Sequence, residues 1–382
     1  MTGGLKNRGK TKADTEERRK AVEKFSGSKL GCVSSYAFDP QLAEKNIENM
    51  IGAVQVPLGF VGPLKVNGDF AKGEFLVPMA TTEVALLATV NRGCSALALG
   101  GGANVFIVKD EMTRAPVFRV RDLRHGREVT NWIATHSAQI MEAAESTTKH
   151  GKLVGVRTFE SGRSLFVRFS FETGDAMGMN MATIASEKAA NVIEEGTGAK
   201  LISVSGNVCV DKKPSGVDFI LGRGKTVVAD ATLPEDVVKE KLKATPEEMA
   251  EAALRKDLVG SAMSLSLGQN AHVANMLAAV FIATGQDPAQ VVEGSMGMTT
   301  AEAVDGSLYV SLRLPALEVG TVGGGTKLPC QSEALSIMGC LGAGKAKKFA
   351  EIVAAACLAG ELSTLAAQAT GTLASAHKAL GR

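Results

Sequence analysis

Residues 153–171 read L-V-G-V-R-T-F-E-S-G-R-S-L-F-V-R-F-S-F. Leu153–Phe159 is apolar enough for a strand, and Ser164–Phe171 alternates well enough to be a second. Before this pair, Glu128–His150 has a helical pattern and Pro116–Val120 reads as a strand ahead of it. On the other side, Asp175–Glu195 is helical and Leu201–Val204 is a final strand. The order is βαββαβ, the split-βαβ or ferredoxin-like arrangement. At about 90 residues it is large enough to fold as an inserted small domain. No G-x-G-x-x-G occurs in the chain, which disfavours a dinucleotide-binding Rossmann unit.

Next comes V-S-G-N-V-C-V-D-K-K-P, Val204–Pro214. Proline disfavours helix at the residue before it, so this is read as an ordered loop at a strand end, a common place for function. Lys212 and Lys213 cannot share one face of a strand. One could touch a reacting group while the other holds a carboxylate; alone, the pair also fits a solvated turn.

At 382 residues the chain is long for a single core. Its 45% hydrophobic and 21% charged residues are ordinary for a globular protein. A net charge of +2 and 4% aromatics point away from a nucleic-acid or membrane-surface role. The six cysteines form no C-x-x-C pair, so no metal site is expected. A reducing cytosol is the simplest setting, and the N-terminus lacks the apolar core of a signal peptide. Leu258–Gln286 has no Asp, Glu, Lys or Arg, but its purely apolar part, Met276–Ala283, is far below the ~20 residues of a membrane span. It is expected to be a helix buried in protein.

Residues 1–46 read as helical, with helices over Thr15–Phe25 and Gln41–Asn49, and Glu48–Leu64 as a tightly turned segment. A helix is expected from a Thr81 or Thr82 cap to Gly100–Gly102, with Glu83 in its first turn. Helices are also expected over Glu235–Lys243, Glu247–Met263, His272–Thr284 and Phe349–Ala369, and strands over Thr226–Ala231 and Leu308–Leu314. Gly4-x-x-x-x-Gly9-Lys10-Thr11 matches a phosphate-binding loop pattern, but nothing apolar precedes it, which favours chance.

Glu83 alone fits a helix-dipole acid, Asp287 a turn residue and His377 a tail side chain. Taken jointly, the motifs change this. V-P-M-A-T-T-E (77–83), G-D-A-M-G-M-N-M (174–181), the 204–214 loop, G-R-G-K (222–225), N-A-H-x-A-N (270–275), G-Q-D (285–287), G-T-V-G-G-G-T (320–326) and A-G-E-L-S (359–363) stand in order. With these the chain resembles the hydroxymethylglutaryl-CoA (HMG-CoA) reductase family from about Glu48 to His377, in its eukaryotic and archaeal class. The family's membrane anchor is not expected here.

The resemblance implies a large mixed α/β substrate and CoA domain (47–114 and 216–382) interrupted by a ferredoxin-like nicotinamide domain (115–203). A catalytic loop (204–215) connects them, and a helical region (1–46) precedes them. It implies the four-electron reduction of HMG-CoA to mevalonate and CoA with two NADPH (NADH the alternative), through a hemithioacetal and mevaldehyde. Lys212 would stabilise the developing oxyanion, Glu83 would be the general acid, and Asp287 would lie between them. His377 would protonate the CoA thiolate. Arg114, Ser205, Asp211, Lys213 and Asn275 would hold the substrate, Asn91 and Arg92 its CoA part. Arg163, Asp175, Met177, Gly178, Met179, Asn180 and Gly323, Gly324 and Gly325 would hold the nicotinamide cofactor. A homodimer or homotetramer with shared sites is implied. Val84, Thr89 and Ala376 depart from common family residues; the last stands where animal enzymes carry a regulatory serine. Two other readings are a non-catalytic acyl-CoA-binding relative and a phosphate-loop nucleotide-binding protein.

Overall fold

The structure is a computed structural model that describes residues 9–371. It opens with α1 (Lys12–Ser26), whose start is a reciprocal cap: Asp14 N–H donates to the Thr11 hydroxyl at 3.2 Å and Thr11 N–H to the Asp14 carboxylate at 2.9 Å. Thr11 is therefore a helix cap, and Lys10 Nζ donates to the Glu44 carbonyl. The helix expected over Gln41–Asn49 is a single 3-10 turn, Pro40–Ala43.

β1 (Leu58–Gly68) and β2 (Lys72–Ala80) form an antiparallel pair, so part of the turned segment expected over Glu48–Leu64 is strand. After α2 (Leu86–Leu99) comes β3 (Ala103–Arg114), unanticipated in the sequence because of its Lys109-Asp110-Glu111 triplet. Those charges are matched locally: Lys109 pairs with Glu111 at 2.9 Å and Asp110 with Lys225 at 3.0 Å.

β3 runs through both halves of the molecule. Asn104–Glu111 pair with β8 (Gly224–Pro234), and Met112–Arg114 with β6 (Ser164–Glu172). Around β6 stand β4 (Val117–Arg119), β5 (Lys152–Ser161) and β7 (Lys200–Ser203), all antiparallel. Their order is β7-β4-β6-β5, the 4-1-3-2 order of the split βαβ. The first crossover is two helices rather than one, α3 (Leu123–Thr135) and α4 (Ser137–Glu145), breaking at His136. The second is α5 (Met179–Thr197), which starts four residues later than expected. These helices and strands enclose one core, with Phe118, Phe169, Phe171 and Ile193 at its centre.

The chain then returns through α6 (Gly216–Leu221), β8, a short turn α7 (Glu235–Val237), α8 (Pro246–Ala252) and α9 (Ser261–Ser264), with wider π-type turns between them. α10 (Val273–Thr284) and α11 (Val291–Gly294) follow, then the hairpin β9 (Met298–Val304) and β10 (Ser307–Leu317). α12 (Pro329–Ile337) and α13 (Ala346–Ala369) complete the second core. α13 is the one helix, among the described residues, long and apolar enough to cross a membrane, and its apolar stretch is wholly buried inside the protein. It approaches α2 so closely that a Cβ on Gly93 would lie 1.9 Å from the Ala359 carbonyl oxygen. All six cysteines are free thiols.

Candidate active site

The 204–215 loop joins β7 to α6, between the two cores. Three of its non-glycine residues lie in the left-handed region: Asn207 (φ 64°), Val210 (φ 48°) and Lys212 (φ 58°). For β-branched Val210 this is an outlier of a kind that persists only where surroundings over-determine it.

Those surroundings are a buried ionic cluster. Arg223, immediately before β8 and fully buried, donates through Nη2 to Asp211 at 3.1 Å and through Nη1 to Glu293 at 3.0 Å, and it also grips Glu318. Gln290 reaches Asp211 at 3.2 Å. Asp211, Glu293 and Glu318 cluster as metal ligands would, but the Arg223 guanidinium already donates to all three, so the geometry is that of an ion-paired cluster. Beside it, Arg168 pairs with Asp218 at 3.1 Å.

Above the cluster, Lys212 Nζ lies 2.9 Å from the Asp287 carboxylate, both side chains partly exposed. The Asp287 hydrogen bond outweighs partial burial and holds the Lys212 ammonium above its ordinary pKa. The Lys212 amide donates to Glu293. Lys213 Nζ turns back to the Asp211 carbonyl at 2.9 Å. Ser205 Oγ sits 3.5 Å from Cys209 Sγ. Arg114 is 3.9 Å from Asp211 and donates twice to Thr183, at 3.0 and 2.8 Å. Burial pushes the Cys209 thiol up, but Ser205, the Ala115 amide and the Arg114 charge outweigh it and leave it lowered.

Glu83 does not sit in the first turn of α2. Thr81 Oγ1 accepts from the Glu83 amide in a local turn, Ala85 takes φ 70°, and the helix begins at Leu86. Glu83 is exposed and accepts from Asn275 Nδ2 at 3.0 Å; with His272 and Thr364 these line one small cavity. Glu361, buried on α13, holds the turn before Asn275: its carboxylate accepts from the Ala271 and His272 amides at 2.7 Å each, and the Asn275 amide donates to the His272 carbonyl at 2.9 Å. Burial would raise Glu361, but the His272 side chain and those amides hold it below the usual range. The structure thus assembles two pairs, Lys212–Asp287 and Glu83–Asn275. His377 lies outside the described residues.

Other candidates have internal partners. Asn91 accepts from the Gly62 amide at 2.8 Å, and Arg92 donates to Ser363 Oγ at 2.8 Å and its carbonyl at 2.6 Å. Arg163 is exposed, with Nε on the Val120 carbonyl. The Asp175 carboxylate accepts from the Gly344 and Ala346 amides at 2.7 and 3.0 Å, and its carbonyl from Thr321 and Val322. It ties the 175–178 turn to the loop that continues into Gly323, Gly324 and Gly325 and to the start of α13. Gly178 (φ 92°) is the N-cap of α5, and a Cβ there would lie 2.3 Å from Thr173. No side chain caps the α5 amides and no acid lies in the first turn, which leaves that N-terminus suited to an anionic group. Met177 and Met179 are half-buried, Met179 Sδ accepting from Arg223, and Asn180 is exposed.

Residue reading alone singled out none of Arg223, Glu293, Glu318, Glu361 or His272. Arg223, His272 and Glu361 lie inside motifs G-R-G-K, N-A-H and A-G-E-L-S, which marked the segments but gave these residues no task.

Comparison with known proteins identifies the family. The profile of the family described as hydroxymethylglutaryl-coenzyme A reductase matches residues 14–382. A 3-hydroxy-3-methylglutaryl-coenzyme A reductase of Pyrococcus horikoshii is 57% identical over 377 residues, covering 96% of this chain and 91% of that protein. One from Methanocaldococcus jannaschii is 53% identical, covering 97% and 94%. One from Schizosaccharomyces pombe is 43% identical over 88% of this chain but only 33% of its own length. The fold is similar to the class II 3-hydroxy-3-methylglutaryl-CoA reductase of Streptococcus pneumoniae, solved bound to NADPH in open conformations. Its TM-score is 0.70 at 18% identity, covering 92% of this chain and 96% of that one.

Proposed function

The chain belongs to the hydroxymethylglutaryl-coenzyme A reductase family, and from that premise we propose that it reduces HMG-CoA to mevalonate and CoA, using two NADPH, in isoprenoid biosynthesis. The observation that carries this reading is the Lys212–Asp287 pair: an ammonium held charged and half-exposed on a loop that a buried cluster keeps in place.

Negative charge grows on the thioester oxygen, and later the aldehyde oxygen, as each is reduced. A fixed ammonium at that oxygen lowers both barriers. Asp287 keeps Lys212 cationic and directed. Glu83, held by Asn275, delivers the proton that the oxygen finally carries, and His377 protonates the departing thiolate. Arg114, Ser205, Asp211 and Lys213 face the 3-hydroxy-3-methylglutaryl part, Arg114 suiting its carboxylate. Asn91 and Arg92 border the CoA part through the segments they brace.

The nicotinamide supplies the hydrides. The open α5 N-terminus behind Gly178 suits its phosphates, so residues 115–203 act as the cofactor-binding unit. Asp175 locks the 175–178 turn onto the Gly323–Gly325 loop of the larger unit. Arg163 and Asn180, both exposed, favour NADPH through added positive charge and a free amide. The six free thiols fit a cytosolic enzyme. The exposed apolar side chains of Val84, next to Glu83, and of Leu58 and Phe60, on the strand paired with Pro78–Ala80, support a homodimer or homotetramer in which sites are shared.

The test is stoichiometry. Following nicotinamide absorbance and free thiol together, two cofactors are oxidised per CoA released. One per CoA, or none, overturns the four-electron reading. A chain lacking residues 1–12 keeps its cofactor affinity, whereas a phosphate-loop protein would lose it.

A further inference from the structure

Residue 212 is held at both ends. Its ammonium meets Asp287 at 2.9 Å, and its backbone N–H donates to Glu293. Both carboxylates come from one short stretch: Asp287 caps a 3-10 turn through Ala289 N–H at 3.0 Å, and that turn runs directly into α11, which carries Glu293. Glu293 is fully buried and cannot drift, because Arg223 Nη1 donates to the same oxygen, Oε1, at 3.0 Å, and Arg223 is itself fully buried between Glu293, Glu318 and Asp211. Lys212 sits at φ 58°, where a non-glycine residue needs external support.

We propose that Glu293 is a positioning residue, pinned by Arg223, that holds the Lys212 peptide in its left-handed conformation and so aims the ammonium. The inference rests on the reading of Lys212 as the oxyanion-stabilising cation. The division of labour is by chemistry. Asp287, partly exposed, touches the ammonium and shares the reacting region. Glu293, fully buried, touches the Lys212 peptide and Arg223 and has no exposed surface to offer a substrate. Glu293 thus governs where the cation points without entering the reaction. A peptide released at residue 212 relaxes toward the ordinary φ range and swings the side chain, and displacements of an ångström cost large factors in rate.

Two variants separate this from a general structural role. Glu293→Gln keeps an oxygen that can accept from both the Lys212 amide and Arg223. Glu293→Met keeps the volume and removes the acceptor, and leaves Arg223 still balanced by Glu318 and Asp211. The expected outcome is a kcat within about 3-fold of wild type for Gln and lower by about 30-fold or more for Met. KM for both substrates stays within about 2-fold in each, since binding groups are untouched. Thermal unfolding of each variant accompanies the kinetics. On a Lys212→Ala background, Glu293→Met costs nothing further in kcat, because the group it positions is gone.

A Gln variant as slow as the Met variant overturns the proposal, as does a further loss on the Lys212→Ala background. Wild-type kcat in Glu293→Met beside an inactive Lys212→Ala overturns the clamp alone. A fully active Lys212→Ala overturns the reading beneath it instead.

Discussion

Lys212 concentrates the chemistry in one cation on a strained loop residue. Its Nζ is partly exposed and makes one direct ion pair, so truncation leaves no buried orphan. Lys212→Ala is expected to lower kcat by about 10²–10³, the scale of removing one preorganised oxyanion donor, with far-UV circular dichroism unchanged. Near-wild-type turnover would remove Lys212 from its role. Asp287→Asn keeps the cap on Ala289 through its amide oxygen but loses the charge that holds Lys212 above its ordinary pKa. Its kcat falls, while KM for HMG-CoA changes less than kcat. A change in KM alone would make Asp287 a binding group.

At the scale of elements, Gly178 shows what a single backbone position controls. The turn at φ 92° packs against Thr173 and releases α5 with its first amides uncapped. Gly178→Ala brings a Cβ into Thr173 and strains the left-handed turn. An increase of about 10-fold in KM for the nicotinamide cofactor is expected, with KM for HMG-CoA unchanged; equal increases in both would refute a cofactor-specific N-terminus. The same residue marks the limit of what the sequence conveys. Strands β5 and β6 were legible because their apolar runs carry their own signal. The starts of α2 and α5 were not. Ala85 takes a positive φ that its own propensity disfavours, and the glycine at 178 permits one without marking that the helix starts after it. β3 was hidden for a related reason. Lys109, Asp110 and Glu111 look like a solvated turn until Lys225, far along the chain, neutralises one of them. In the site, exposed polar residues in motifs were legible. The buried acids Glu293 and Glu318 were not, since their partner Arg223 is brought to them only by the sheet.

At the scale of the whole molecule, the two cores meet over a buried cluster whose charges do not balance. Asp211, Asp218, Glu293 and Glu318 supply four carboxylates, against the three guanidiniums of Arg114, Arg168 and Arg223. Full ionisation would leave a surplus of negative charge away from water, and burial is the largest influence on three of the four acids. It pushes Asp218 up to about 7, Glu293 up to about 6, and Glu318 well above its ordinary value, despite the opposing pull of the arginines. In the unfolded chain these acids release their protons near pH 4. From about pH 4 to pH 7 the folded protein therefore binds more protons than the unfolded one, and the free energy of unfolding falls as pH rises. The stabilisation is complete below the unfolded values and is lost through the folded ones. Glu361 and Asp175 are shifted downward, so their contributions are lost only on acidification below this window. At constant ionic strength the melting temperature is thus expected to decline from pH 5 to pH 8. Glu318→Gln keeps an acceptor for Arg223 and removes one of the acids. Its decline is shallower, and at pH 8 it melts above the wild type. A melting temperature that rises across this range, or a variant with the wild-type slope, would show that the cluster is fully ionised in the folded protein.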